Sequence, residues 1–136
     1  MVQLRLAWWR DRLAEPAARW PAGEPLLALL AAWDSERAAL AALVDGREAQ
    51  VVGEDGGALL DRARAGAIVA LARMAGIGET PEIAAAAADW SQGRGLRTRL
   101  PRALRPLTLL DHFDSAGDAP PWQVMLGALR KGWFGR

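Results

Sequence analysis

Residues 4–13 read LRLAWWRDRL, and the adjacent Trp8 and Trp9 constrain the fold more than any other feature of the chain. Neighbouring side chains on an α-helix point about 100° apart. Both indoles are buried only where the helix has neighbours on two sides, so the segment is expected inside an α-helical bundle. Val2, Leu6, Trp9 and Leu13 make its inward stripe, Leu4 and Trp8 lie beside it, and Pro16 ends it.

The rest of the sequence agrees with an all-α fold, read as a single helical bundle over residues 1–136. Ala and Leu dominate, no strand-like alternation persists, and Gly and Pro punctuate the chain. A second helix is expected over residues 25–33, opened by Pro25. Asp34 or Ser35 caps a third, with Leu40, Leu43 and Val44 inward, and the glycine-rich residues 53–57 break it. A fourth, over residues 58–75, turns Leu60, Ala67, Ile68 and Leu71 inward and stops at Gly76-Ile77-Gly78, where glycine takes positive φ. Thr80-Pro81-Glu82 restarts the chain with a capping hydroxyl and a first-turn proline, and Ala84 to Ala88 give that helix a thin side. Pro101 and Pro106 leave a short helix over residues 107–113. Trp122, Met125, Leu126 and Leu129 mark a last amphipathic helix, expected to pack on the bundle.

Seventeen Lys+Arg against sixteen Asp+Glu give +1, which provides no general pull toward nucleic acid. The absence of cysteine excludes disulfides, thiolate chemistry and sulfur-ligated metals. No apolar run reaches the roughly 18 residues of a membrane span and no signal peptide is visible, so a cytoplasmic protein is expected.

Few side chains have the spacing of a reactive site. Asp45 and Glu48 are i, i+3 on a helix and are weak metal candidates; the competing reading is a solvated charged turn around Arg47. Asp11 and Glu15, flanked by Arg10 and Arg12, read as an ion-paired face. His112 has no second His and no Cys to form a metal set with, and no catalytic residue is assigned. The densest charge feature is Arg94, Arg97, Arg99, Arg102 and Arg105, five arginines in twelve residues with no acidic residue among them. They are either the solvated end of the bundle or a site for an anion or acidic partner, since guanidinium groups grip phosphate bidentately. Trp133, Phe134, Arg130, Lys131 and Arg136 near the end of the chain mix aromatic and basic groups as membrane-interface segments do.

The Trp-Trp segment resembles the "RLxWWRDxL" helix of the squalene/phytoene synthase family. Leu43-Val44-Asp45-Gly46-Arg47-Glu48-Ala49 is similar to that family's "LIDGREAD", Arg64 to Ile68 to its small-residue stretch, and Gly95-Leu96-Arg97 to its "LLR". The resemblance implies a shortened isoprenoid synthase-like fold. Active members hold Mg²⁺ and diphosphate through two aspartate pairs. The first precedes the Trp-Trp helix, where the sequence given begins, and Thr98 and Arg102 stand at the positions of the second. Arg97 followed by Leu100-Pro101 is closer, with one extra residue, to the "LLRxLP" of the family's non-catalytic branch, which includes a complex I assembly factor. Active synthases also use tyrosines, and this chain has none.

The expectation is therefore a non-catalytic pseudoenzyme that binds a partner protein, an anionic lipid or an isoprenoid diphosphate, cytoplasmic or peripheral at the inner face of a membrane. It carries no cofactor on that reading, and homo-oligomers stay open. The alternatives are an isoprenoid synthase fragment that acquires Mg²⁺ and its missing carboxylates from elsewhere, and a helical structural domain with no ligand.

Overall fold

The computed structural model describes residues 2–117 and 120–134, the side chains of residues 2, 133 and 134 aside. The described residues form seven α-helices and three 3₁₀ turns and include no strand, so the chain is all-α. The chain divides into two compact units, Met1–Ala70 and Leu71–Arg136, with the boundary falling within the helix Ala58–Met74.

In the first unit α1 (Val2–Ala14) packs along α3 (Arg37–Val52). The predicted stripe is real at Leu6 and Leu13, which are buried, and Trp9 is half-buried. Trp8 is not, and remains 37% exposed. The two indoles instead meet each other edge to face, with ring centroids 5.0 Å apart and planes at 83°. The pair thus shields part of its own surface, so Trp8 does not require a second helical neighbour. Behind it the last carbonyls of α1 find an unexpected partner. The Trp20 indole N–H donates to the carbonyls of Arg12 (2.6 Å), which also accepts from the Glu15 N–H, and Glu15 (3.0 Å), at the end where helical carbonyls lack intrahelical partners.

The chain between α1 and α3 departs from expectation. α2 is only Pro25–Leu30, and a 3₁₀ segment, Ala31–Glu36, follows it. Asp34 does not cap α3. Its carboxylate accepts from the Ala17 backbone N–H at 2.8 Å and from Arg37 at 2.6 Å. A long-range bond has taken the side chain that local pattern assigned to a cap. α3 itself buries Gly46 and Ala49, while Leu40, Leu43 and Val44 are only half-buried. The reason is close helix packing: a Cβ at Gly46 would lie 2.6 Å from the Leu60 Cα of α4 (Ala58–Met74). Gly53 ends α3 in the left-handed region at φ 75°, and the Asp55 carboxylate accepts from the N–H groups of Gly57 and Leu59 to open α4. On α4, Leu60 and Ile68 are buried as expected, Ala67 and Leu71 are half-buried, and Ala63, Val69, Ala70 and Ala72 join the buried set.

The second unit starts as its punctuation dictates. Gly76 (φ 71°) and Gly78 (φ 78°) make the turn, and the Thr80 hydroxyl accepts from the Ile83 N–H at the start of α5 (Pro81–Ser91). Ala86 and Ala87 are buried on the thin side of α5. After the 3₁₀ turn Arg102–Leu104 come α6 (Arg105–Ser115) and α7 (Pro121–Phe134), which pack as an antiparallel hairpin. His112 lies opposite Val124 and Gly127, and Leu109 opposite Gly132.

Candidate functional site

The hairpin seam is built from small residues and one imidazole. His112 Nε2 is 3.0 Å from the Val124 carbonyl, and a Cβ at Gly127 would meet the same ring at 2.5 Å. His112 thus fills the space that glycine leaves and ties α6 to a carbonyl of α7. Because the seam follows Gly127 and Gly132, the stripe predicted to pack points away from it. Trp122, Met125, Leu126 and Leu129 of α7 are 56–63% exposed, and Leu110 and Phe113 of α6 are 52–53% exposed. This corrects the expectation that the last amphipathic helix buries its apolar face. Between the two helices that face opens into a groove of about 650 Å³, lined by Leu109, Phe113, Pro121, Val124, Met125, Ala128, Leu129 and Gly132. Trp133 and Phe134 lie outside the described side chains, and Arg136 outside the described residues.

The five arginines separate. Arg94 pairs with Asp89 at 2.7–2.8 Å and also bonds Gln92. Arg102 is exposed in the 3₁₀ turn, and Arg105 is half-buried at the start of α6. Arg97 and Arg99 share a pocket of about 220 Å³ with Leu96, Thr98, Thr108, Asp111 and Lys131. Lys131, the chain's single lysine, lies over thirty positions from Arg97 in sequence; the sequence places it with the basic-aromatic end of the chain rather than among the five arginines. Gly95 turns the chain into this pocket at φ 73°, and a Cβ there would lie 3.6 Å from an Asp111 carboxylate oxygen. Folding therefore brings one carboxylate to an arginine segment that has none of its own.

Pocket and groove use different faces. At about 100° per residue, Thr108 and Asp111 lie roughly 150° around α6 from Leu109 and Phe113.

Asp45 and Glu48 are brought together, with Arg10 as their partner. Arg10 Nε donates to Asp45 at 3.0 Å and its terminal nitrogen to Glu48, and these two acceptors raise its pKa above the ordinary arginine value, Glu48 the more strongly. Both carboxylates are thereby committed to a cation the chain supplies. Among the described residues no group of three or more His, Cys, Asp or Glu side chains is placed to hold a metal ion. Arg12 and Glu15 approach to 3.9 Å, on the face read as ion-paired.

The near-neutral total hides a division of charge. Met1–Ala70 carries eight Lys+Arg against ten Asp+Glu, or −2, and Leu71–Arg136 carries nine against six, or +3. The excess of positive charge belongs to the unit that bears the apolar groove and the arginine pocket. No described helix is long and apolar enough to cross a membrane. The sequence matches no protein-family model, and no curated protein or solved structure matches the chain.

Proposed function

We propose that the protein is a binding module that docks through the apolar face of the α6–α7 hairpin onto an anionic lipid surface, with the groove receiving an acyl or isoprenoid chain. One observation carries this reading: six large apolar side chains on two adjoining helices are more than half exposed, and three of them, Phe113, Met125 and Leu129, line an open groove of about 650 Å³. At about 100 Å² apiece they present roughly 600 Å², the upper end for a single patch on a monomer and a mark of interaction surfaces. The groove volume is that of a small-molecule site. The +3 charge of the same unit favours an anionic surface over a neutral one.

Magnitudes rank the two contributions. Roughly 600 Å² at about 25 cal/mol/Å² is on the order of 15 kcal/mol before the costs of association. Basic residues near an anionic surface add about 1 kcal/mol each and are screened by salt. Binding is therefore mainly apolar with an electrostatic bias. A binding role in place of prenyl transfer is supported by Thr98 and Arg102 at the positions where the squalene/phytoene synthase family has metal-binding aspartates, and by the engagement of Asp45 and Glu48 with Arg10. In this reading the protein is a non-catalytic relative of that family, peripheral at the inner face of a membrane.

Co-sedimentation with phosphatidylglycerol and phosphatidylcholine vesicles tests the proposal. The chain is expected to favour phosphatidylglycerol, to lose part of its binding at 1 M salt, and to lose nearly all of it in Met125→Glu/Leu129→Glu, whose side chains are 60–63% exposed. Equal sedimentation of wild type and variant at low salt refutes it. So does a homodimer in light scattering that this variant dissociates, since the face then belongs to a second copy.

A further inference from the structure

We infer that the pocket of Arg97, Arg99 and Lys131 is a site for one phosphoryl group, a phosphomonoester or phosphate. The site does not rest on the lipid reading, because it opens on a different face of α6 from the groove.

Three observations converge on it. First, among the described residues of Leu71–Arg136 ion pairs join Arg94 to Asp89 and Arg73 to Glu79, and none engages Arg97, Arg99 or Lys131. Three cationic side chains line one pocket with their charge left for another group. Second, the charge is of the right size. Counting Asp111, the pocket carries +2, and a phosphomonoester carries about −1.5 to −2 at neutral pH. A carboxylate neutralises only half of that, and a diphosphate exceeds it. Third, 220 Å³ is about seven waters' worth of space at roughly 30 Å³ each, enough for one phosphoryl group and the first atoms of its ester.

Two guanidinium forks and an ammonium supply the donors that planar, multidentate recognition of phosphate oxygens requires. Thr98 adds a hydroxyl. The Thr108 hydroxyl is already committed, donating to the Arg105 carbonyl at 2.6 Å, so it lines the pocket without donating into it. Asp111 lies against Gly95, and its negative charge sets the limit that excludes a more highly charged ligand.

Titration of the full chain with inorganic phosphate and with glycerol 3-phosphate, followed by calorimetry and amide shifts at matched ionic strength, tests the site. Expected are saturable one-site binding that chloride and acetate do not reproduce, and shifts at residues 96–99 and 131. Arg99→Gln and Lys131→Gln should each weaken binding at least fivefold while keeping the wild-type melting temperature, and Asp111→Asn should tighten it. Phosphate shifts no larger than those of chloride, or unchanged affinity in both glutamine variants, overturn the proposal. Phosphatidic acid vesicles distinguish a headgroup from a free phosphomonoester. Met125→Glu/Leu129→Glu should abolish vesicle binding and leave glycerol 3-phosphate binding intact; loss of both would refute an independent site, and loss of vesicle binding alone leaves the phosphoryl site standing even where the lipid reading is tested separately.

Discussion

Gly46→Ala is the sharpest test of how the first unit is held together. The added Cβ would stand 2.6 Å from the Leu60 Cα, 2.9 Å from its nitrogen and 3.1 Å from the Leu59 carbonyl carbon. Ordinary contact begins near 3.4 Å, so α3 and α4 must move apart by about 0.8 Å. All three obstructing atoms are backbone, and no rotamer change relieves them. Overpacking of this kind costs about 1–3 kcal/mol, and a backbone obstacle places it at the upper end. Against it stands the gain of about 1 kcal/mol from replacing a helical glycine by alanine. The net expectation is a loss of roughly 1–2 kcal/mol. Gly66 of α4 supplies the control, because a Cβ there meets nothing within 4 Å. Gly66→Ala should therefore keep the propensity gain and stabilise by about 0.5–1 kcal/mol. Chemical denaturation of both variants reads the difference, expected at about 1.5–3 kcal/mol. Equal midpoints, or a more stable Gly46→Ala, would show that α3 and α4 do not approach as closely as the argument requires.

The aromatic pair should respond unequally: Trp9→Ala is expected to cost roughly 2–3 kcal/mol and Trp8→Ala about 1, and equal losses by denaturant titration would contradict the half-buried and exposed placements. Trp20→Phe keeps the ring but removes the donor to the Arg12 and Glu15 carbonyls at the end of α1, so a loss of about 1–2 kcal/mol is expected in the same assay. Asp34 has a lowered pKa, chiefly because the Ala17 N–H and secondarily because Arg37 favour its charged form. Its contribution is therefore present above the unfolded value near 4 and lost as pH falls through the folded one. Asp34→Asn should flatten the acid limb of stability against pH, and an unchanged limb counts against the bond.

What was legible in the sequence was local. Thr80-Pro81-Glu82 and Gly76-Ile77-Gly78 fix a cap and a turn through their own hydroxyl, ring and missing Cβ, and both stand as read. The all-α class likewise follows from composition and punctuation. Gly46 was visible as part of a motif, but its role is set by Leu60, fourteen residues away and on another helix. Asp34 shows the reverse error. Its residue type suits a cap, yet the Ala17 N–H captured it from seventeen residues upstream. The last helix was misread for a related reason. Hydrophobic periodicity finds the apolar stripe of an amphipathic helix but does not say what covers it. α7 meets α6 along Gly127 and Gly132, because small residues permit a close seam with His112 and Leu109 between them. The larger apolar side chains were left outside.

The charge pattern carries the same lesson to the candidate site. A total of +1 gives no general electrostatic pull, but screening limits exposed charges to roughly 10 Å at 0.1 M salt, so a partner senses only the charge close to it. The +3 of Leu71–Arg136 is the local quantity for the hairpin, and within it Asp89 neutralises Arg94. Asp111 then reduces the three cations of the pocket to +2. Five arginines in a row of sequence are thus two at a site, joined by a lysine from the last helix. Substituting Arg94 should leave phosphate binding nearly unchanged, while substituting Lys131 should weaken it as much as Arg99 does; sequence proximity alone predicts the opposite order.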